Sequence, residues 1–331
     1  MDLSIIIPVY NVEKYVRACI ESVFLQGLDE DRFEVVIVND GTKDRSMEVI
    51  ADIIEAHQNI TVINQENQGL SMARNNGMAI AKGEYMLMPD SDDLLIEGSL
   101  KPLLQTAMES KADLAVADFV KMDDQEIVAG PLSKHLDTSH LEETSGLQLY
   151  QRDFTHNTCY VWHTLYRTDF IRQNNITFIP GIYYEDIPFT TECLLKAGKC
   201  IRAHYPLNIY RRRGASISDV ASFNMRQAQD FTTSIIRTWE LRKMEGLSPD
   251  IKSTMKKRLY AYYASCSTAY CIRPTTAPNK SAWWNTCGET LPTSSVVSRS
   301  GKSWVSSSIT YRHDYLSQPK NGLGNINIIY D

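Results

Sequence analysis

The sequence predicts an α/β protein in which a mostly parallel sheet is flanked by helices and followed by a helical C-terminal extension. Two observations lead to this fold class. Short apolar runs rich in β-branched residues alternate with segments whose apolar residues recur every three or four positions, and polar residues follow each run. This alternation is typical of βαβ units, which form parallel sheets with right-handed crossovers.

The elements are predicted in chain order. The first strand is the buried run 3–9, and Asn11 is the predicted N-cap of a helix over 12–24. Further strands are predicted at 34–38, 60–63, 85–88 and 114–119, with helices around 47–54 and over 70–81. Helices around 231–239 and over 251–270 form the extension. Because the carboxyl ends of parallel strands share one edge, we expect the polar groups that follow them to meet there.

Composition and charge exclude several classes of protein. Of the 331 residues, 43% are hydrophobic, which excludes full disorder, and the net charge of −6 argues against a general nucleic-acid binder. The seven cysteines include no C-x-x-C pair, so neither a zinc ribbon nor a disulfide framework is expected. No apolar run approaches the ~20 residues of a membrane span, and the N-terminus lacks a basic signal-peptide region. We therefore expect a cytoplasmic protein.

Three carboxylates follow the predicted fourth strand, at Asp90, Asp92 and Asp93. Closely spaced carboxylates repel one another, and a hard divalent cation relieves that repulsion while keeping positions for diphosphate oxygens. The alternative is an acidic helix N-terminus, in which Asp92 or Asp93 caps a helix that begins near Leu94. The polar residues on the neighbouring loops favour the metal site.

Three other polar residues at this edge each have a functional and a structural interpretation. Asp40 could accept a hydrogen bond from the imide N–H of a base, or could form an Asx-turn. Tyr10 could stack on a base, or could be an ordinary surface tyrosine. Arg74 suits a nucleotide, and its alternative is an ion pair on a helix surface.

Together these segments resemble the family 2 glycosyltransferases, which have the GT-A fold. The matching segments keep their order and spacing and lie at 4–11, 38–41, 67–77, 83–85, 90–93, 162, 165–167, 184–186 and 210–218. The resemblance implies a GT-A-like, Rossmann-type fold. It also implies an inverting transfer of a sugar from a nucleoside diphosphate sugar, by default a UDP-sugar, to an acceptor hydroxyl in bacterial surface polysaccharide or glycolipid biosynthesis.

The same resemblance implies roles for individual residues. Asp186 is the implied general base, and Mn²⁺ or Mg²⁺ is implied at Asp90 and Asp92. The donor is implied to contact Pro8, Tyr10, Asp40, Arg74, Asp90, Ser91, Arg211 and Arg213, and the acceptor to contact Trp162, His163 and Glu185. His163 departs from the asparagine that the family often has after the tryptophan.

Structural alternatives exist for two of these assignments. Glu185 and Asp186 could instead form the acidic N-terminus of a helix over 189–195. In an extended segment their side chains would point to opposite faces, so that only one could face the sugar. Arg211 and Arg213 could instead lie in a solvated basic turn.

The resemblance also organises the chain into four parts. Residues 1–120 are the predicted nucleotide-sugar-binding half, 121–220 the acceptor-side half, 221–280 the helical extension and 281–331 a Ser-rich tail whose order the sequence leaves open. The helix over 251–270 carries Lys252 and Lys257 beside its apolar stripe. It could lie on the inner face of an anionic membrane, near a lipid-linked acceptor, but we expect the stripe to pack on the catalytic domain.

The expected partners are a nucleotide-sugar donor and a saccharide or lipid-linked saccharide acceptor, and no nucleic acid. Two rival functions remain. A non-catalytic protein that binds nucleotide sugars could lose its metal ligand or its base, yet Asp92 and Asp186 are both present. A sugar-phosphate nucleotidyltransferase would need a Gly-rich phosphate loop after the first strand, which the chain lacks.

Overall fold

A mixed β-sheet lies at the centre of the fold. The computed structural model describes residues 1–123, 127, 136–154, 159–212 and 224–269. Within these residues the strands are β1 Leu3–Val9, β2 Phe33–Asn39, β3 Ile60–Asn64, β4 Tyr85–Leu87, β5 Leu94–Leu95, β6 Leu114–Met122, β7 Leu141–Thr144, β8 Thr164–Arg167 and β9 Cys200–Arg211.

The strand order is β3-β2-β1-β4-β8-β6-β9-β5, and β7 also pairs with β9. β1 to β4 are parallel to one another, and β6 is parallel to β9, whereas β8 runs antiparallel between β4 and β6. The N-terminus of β8 therefore lies at the same edge as the carboxyl ends of β4 and β6. The predicted α/β fold class, with its mostly parallel sheet, is confirmed.

Helices flank the sheet on both faces. They are α1 Val16–Phe24, α2 Ala51–Ala56, α3 Leu70–Ile80, α4 Leu100–Ser110, α5 Gly146–Arg152, α6 Thr168–Gln173, α7 Asp186–Lys196, α8 Met225–Glu240 and α9 Pro249–Ala269. The predicted N-cap at Asn11 is wrong, because α1 begins only at Val16. Asn11 has φ 54° and its side-chain oxygen accepts the Lys43 N–H at 3.0 Å. Asparagine tolerates this left-handed backbone, so the residue forms a turn and ties it to the next loop.

Alternation along the central strands divides the core between the two faces. Ile5 packs with residues of α1 and α4, whereas Ile6 packs with residues of α3, α5 and α7. A Cβ at Gly77 would lie 2.3 Å from Cγ2 of Ile6, so the glycine allows α3 to approach β1 closely. This contact holds the N-terminus of α3 at the edge of the sheet that carries the polar loops.

The helical extension shares this core. The apolar stripe of α9, at Ile251, Met255, Leu259 and Tyr262, is buried in the cluster that contains α7, as the packing alternative predicted. No helix within the described residues is long and apolar enough to cross a membrane. The tail predicted at 281–331 lies outside the described residues, and the division into four parts stays a prediction.

Candidate active site

An acidic loop, residues 90–93, forms the centre of the candidate site. It joins β4 to β5 at the carboxyl edge of the sheet, and the carboxylate oxygens of Asp90, Asp92 and Asp93 all lie within 4.8 Å of one another. The alternative of a helix beginning near Leu94 is wrong. Leu94 instead pairs with Ile209 of β9, and α4 begins at Leu100. The short strand therefore fixes the three carboxylates as a group.

Asp93 has the most unusual environment of the three carboxylates. Its side chain is 2% exposed, and Oδ1 accepts the Arg211 backbone N–H at 2.9 Å. Oδ2 is buried with no hydrogen-bond partner among the described residues. Burial, together with the charges of Asp90 and Asp92, raises the pKa of Asp93 to about 9. Three clustered hard oxygen donors, one of them buried without a partner, fit a divalent cation such as Mn²⁺ or Mg²⁺.

Arg211 is bound to the backbone of the acidic loop. Its Nε donates to the Asp92 carbonyl oxygen at 3.0 Å, and its guanidinium carbon lies 5.1 Å from the centre of the Tyr15 ring. A cation is thus held beside the carboxylates, where a donor diphosphate would need it. The other predicted clamp, Arg213, lies outside the described residues.

Arg74 connects the acidic loop to the segment that precedes α7. Its guanidinium, 3% exposed, donates to Asp90 at 2.5 Å and to Glu185 at 2.7 Å. The predicted alternative, an ion pair on a helix surface, is therefore wrong. The Arg74 side chain is buried, and both of its carboxylate partners lie on other segments of the chain. Burial raises the pKa of Asp90 to about 6, although the Arg74 charge lowers it. The network brings a predicted donor residue and a predicted acceptor residue into direct contact.

Asp186 is the first residue of α7, and Glu185 is its N-cap residue, so this pair is helical rather than extended. The structural alternative was therefore right about the backbone. Burial and then the Glu185 charge raise the pKa of Asp186 to about 8, and Asp90 acts in the same direction while Arg74 opposes them. Asp186 thus shares its electrostatic environment with the acidic loop, and a raised pKa suits a group that takes up a proton near neutral pH.

The residues predicted to hold the nucleotide base lie at the same edge. Asp40 is 3% exposed, and its oxygens accept hydrogen bonds from Gln65 Nε2 and from the backbone N–H groups of Gln68 and Gly69, at 2.8 to 2.9 Å. It therefore holds the loop before α3 in place. Tyr10, by contrast, is 43% exposed and directly follows β1, where its ring is accessible. The other predicted donor residues are buried, Pro8 within β1 beside Val38 and Ser91 within the acidic loop.

Two of the predicted acceptor residues, Trp162 and His163, directly precede β8 at the same edge of the sheet. Trp162 is 3% exposed and stacks on two half-buried tyrosines, with ring centres 5.0 Å from Tyr160 and 5.8 Å from Tyr210 and planes within 16° of parallel. The His163 ring is buried, with Nδ1 2.8 Å from the Ala117 carbonyl oxygen. Tyr160 lies within the electrostatic reach of Asp186, whose charge contributes to raising the pKa of that phenol.

Sequence reasoning did not assign several of these residues. Asp93 was read only as part of the cluster or as a helix cap, and its burial is a property of the β5–β9 pairing. Tyr160 was not singled out, and Tyr210 was noted only within a matching segment. No sequence signal indicated that Arg74 would bind Glu185, because 111 residues separate them. Their proximity depends on the strand order of the whole sheet.

Comparison with known proteins decides the family. The sequence model of glycosyl transferase family 2 matches residues 4–173, just over half of the chain. The chain belongs to glycosyltransferase family 2. The predicted family is therefore confirmed, and the acidic loop is its DXD-like element. The match ends before α7, so it does not include Asp186.

Two curated relatives of this family 2 chain illustrate the range of similarity. The uncharacterized glycosyltransferase EpsJ of Bacillus subtilis (strain 168) is 34% identical over 221 residues, which is 66% of this chain and 63% of the relative. The poly(ribitol-phosphate) beta-glucosyltransferase of Bacillus spizizenii is 26% identical over 73% of this chain and 38% of the relative. The chain thus spans less than two thirds of the length of these relatives.

Solved structures share the fold. S. aureus TarS 1-349 in complex with UDP-GlcNAc superposes with a TM-score of 0.67 at 20% identity, over 87% of this chain and 80% of that one. The mannosyltransferase PcManGT from Pyrobaculum calidifontis, in complex with GDP-Man and Mn²⁺, gives a TM-score of 0.55 at 14% identity, over 87% and 79%. At these identities the likeness establishes the GT-A-like fold.

Proposed function

We propose that this family 2 chain is a metal-dependent inverting glycosyltransferase that moves a sugar from a UDP-sugar to an acceptor hydroxyl. The observation that carries the proposal is the contact network through Arg74. This residue joins Asp90 of the acidic loop to Glu185, the neighbour of Asp186. A group able to hold a donor diphosphate and a group able to take a proton are therefore fixed relative to one another, as an in-line displacement requires.

The chain's own residues account for proton transfer and for orientation. The Asp186 carboxylate accepts the acceptor hydroxyl proton as the acceptor oxygen bonds to the anomeric carbon and the bond from that carbon to the diphosphate oxygen breaks. Arg211 holds the acidic loop through its backbone. Asp90, Asp92 and Asp93 would hold Mn²⁺ or Mg²⁺, which when bound neutralises charge on the leaving diphosphate. Attack from the face opposite the diphosphate inverts the anomeric centre.

On the donor side, Tyr10 stacks on the base and Asp40 accepts its imide N–H. Pro8 and Ser91 shape the walls of the nucleotide site, and Arg74 supplies positive charge. We take uracil as the base of the donor nucleotide because TarS was solved with UDP-GlcNAc. Guanine is the alternative base, because PcManGT was solved with GDP-Man. The base is thus the first property to be tested.

On the acceptor side, the rings of Trp162, Tyr160 and Tyr210 form an aromatic cluster, and the Asp186 charge acts on the Tyr160 phenol. Flat aromatic surfaces bind the apolar faces of ligands, and the phenol hydroxyls can hydrogen-bond to polar groups at their rim. We assign this cluster, with His163 and Glu185 at its borders, to the acceptor saccharide.

One relative's name supports the proposed pathway. The poly(ribitol-phosphate) beta-glucosyltransferase has a name that states a polymeric acceptor, which supports a role in bacterial surface polysaccharide or glycolipid synthesis. We place the reaction in the cytoplasm. The exposed lysines of α9, Lys252 and Lys257, are suited to contact with the anionic inner face of the membrane.

Thermal unfolding against UDP, GDP, TDP and CMP, each with and without Mn²⁺, tests donor and metal together. A nucleotide at ~100 times its dissociation constant adds about 2.7 kcal/mol, which raises Tm by several degrees. We expect a Mn²⁺-dependent shift with UDP that Asp92→Asn abolishes. A shift that is equal with and without Mn²⁺ would exclude the metal-dependent mechanism.

Replacing Asp186 by Asn tests the base. We expect nucleotide binding to be retained and turnover of the UDP-sugar to fall by roughly 10²–10⁴-fold, because the amide cannot take up the proton. Normal turnover by this variant would show that another group is the base. Nucleotide binding without turnover in the wild-type protein, across UDP-glucose, UDP-galactose and UDP-GlcNAc, would favour the non-catalytic alternative.

A further inference from the structure

The residue two positions before Asp186 has an unusual backbone. Tyr184 has φ 62°, in the left-handed region that non-glycine residues rarely adopt and that a bulky aromatic residue adopts least readily. Such a conformation persists only where surrounding contacts enforce it. Because Tyr184 leads directly into Glu185 and the first turn of α7, its backbone sets the position of Asp186.

Three contacts that support this conformation come from one face of α8. Asp230 accepts the Tyr183 N–H at 3.3 Å, and the Ser234 hydroxyl donates to the Tyr184 carbonyl oxygen at 2.7 Å. The Phe231 ring meets the Tyr184 ring at 78°, with centres 4.9 Å apart. Positions 230, 231 and 234 are neighbours on a helix surface, so the whole set acts from a single rigid element.

Ser234 is the most specific of these contacts. Its side chain is fully buried, so the hydroxyl donates to the Tyr184 carbonyl from a position that bulk water does not occupy. The hydrogen bond fixes the orientation of the peptide group between Tyr184 and Glu185. On the other side of this peptide, Glu185 is bound to Arg74. The loop is therefore held between α8 and the buried guanidinium.

We propose that α8 holds residues 183–185 in the conformation that presents Asp186, and that Ser234 is a positioning residue for the base. The proposal rests on the proposed function for the role of Asp186, but not for the contacts themselves. The proposal gives the helical extension a part in turnover, although the extension lies outside the segment that the family model matches. A shift of ~1 Å in a reacting group can cost about 10²-fold in rate.

The test compares Ser234→Ala with Thr238→Val. Thr238 is one turn further along α8, is equally buried, and its hydroxyl donates within the helix to the Ser234 carbonyl at 2.8 Å. Both variants thus lose one buried hydroxyl from the same helix. With the UDP-sugar that wild-type protein turns over fastest, we expect Ser234→Ala to lower kcat about tenfold or more with the donor KM unchanged. Thr238→Val should keep both constants.

Amide hydrogen exchange supplies a readout that does not require activity. Ser234→Ala should speed exchange of the amides at 183–187 relative to Thr238→Val, while exchange in β1 and β2 stays the same in both. Equal exchange and equal kcat in the two variants would overturn the proposal. Loss of kcat and donor binding together in both variants would also overturn it, because that result indicates general destabilisation. If wild-type protein turns over no nucleotide sugar, the proposed function fails and the exchange comparison alone decides this proposal.

Discussion

Replacing Arg74 by Met is expected to destabilise the metal-free protein strongly at neutral pH. The guanidinium is 3% exposed, and its removal leaves Glu185, 9% exposed, and Asp90, 28% exposed, without their shared cation. Breaking a buried ion pair by deleting one partner costs about 3–5 kcal/mol. Because Asp90 is partly solvated, we expect the lower end, about 3 kcal/mol, which corresponds to roughly 6–12 °C in Tm for a domain of this size.

The pH dependence of this loss identifies its cause. Arg74 lowers the pKa of Asp90 and of Asp186, so both pKa values rise further in the variant. A carboxyl whose folded pKa lies above its unfolded value of about 3.9 destabilises the fold at any pH above that value, fully so once the pH exceeds the folded pKa. The difference between wild-type and variant protein should therefore be larger at pH 8 than at pH 5.

The measurement is thermal unfolding in EDTA at pH 5 and pH 8. Arg17→Met is the matched control, because Arg17 also binds two carboxylates but is 42% exposed, and exposed pairs contribute only about 0–1 kcal/mol. Combining Arg74→Met with Glu185→Gln should restore part of the loss, because one uncompensated charge is removed. If Arg74→Met melts like Arg17→Met at both pH values, the buried network does not carry the energy argued for it.

Three further predictions concern single carboxylates. Because the Glu185 charge raises the pKa of Asp186, Glu185→Gln should move the acid limb of the kcat/KM profile to lower pH, and a limb that stays in place would separate the two residues. Because Asp93, with a pKa of about 9, is protonated at pH 7, Mn²⁺ binding should release protons. Calorimetry in two buffers of different ionisation enthalpy measures this release, and the Asp93→Asn variant should release fewer protons than the wild-type protein. Asp40→Asn should lower the free energy of unfolding by about 1–3 kcal/mol in the absence of nucleotide, because the amide nitrogen would face the backbone N–H donors of the loop. An unchanged Tm would show that Asp40 does not hold this loop and has a binding role alone.

The sequence predicted the sheet and the edge that carries the site because both depend on local patterns. Runs such as 3–9 and 34–38 are apolar on both faces, and the helices between them keep a regular apolar spacing. Parallel strands then bring Tyr10, Asp40 and Asp90 to one edge whatever the details of packing. The family resemblance added the roles, which spacing alone could not supply.

The errors and omissions share a different cause. Asn11 has the composition of an N-cap, but its backbone was decided by the loop at Thr42 and Lys43. The acidic residues before Leu94 resemble a helix start, but pairing with Ile209, far along the chain, made that segment a strand. The contacts of Arg74 with Glu185 depend on the completed fold. Local propensity is a weak guide wherever a long-range contact supplies more energy.

The charges around the candidate site explain why it is built as it is. Among the described residues, this region holds five carboxylates and two guanidinium groups. The carboxylates are those of Asp90, Asp92, Asp93, Glu185 and Asp186, and the guanidinium groups are those of Arg74 and Arg211. Burial raises the pKa values of Asp90, Asp93 and Asp186, and repulsion from neighbouring carboxylates adds to the increase, so all three values reflect a shortage of positive charge. A divalent cation bound at the acidic loop would supply that charge, ionise Asp93 and Asp90 as ligands and lower the pKa of Asp186. Under the proposed function, metal binding and activation of Asp186 as the base would therefore be coupled electrostatically.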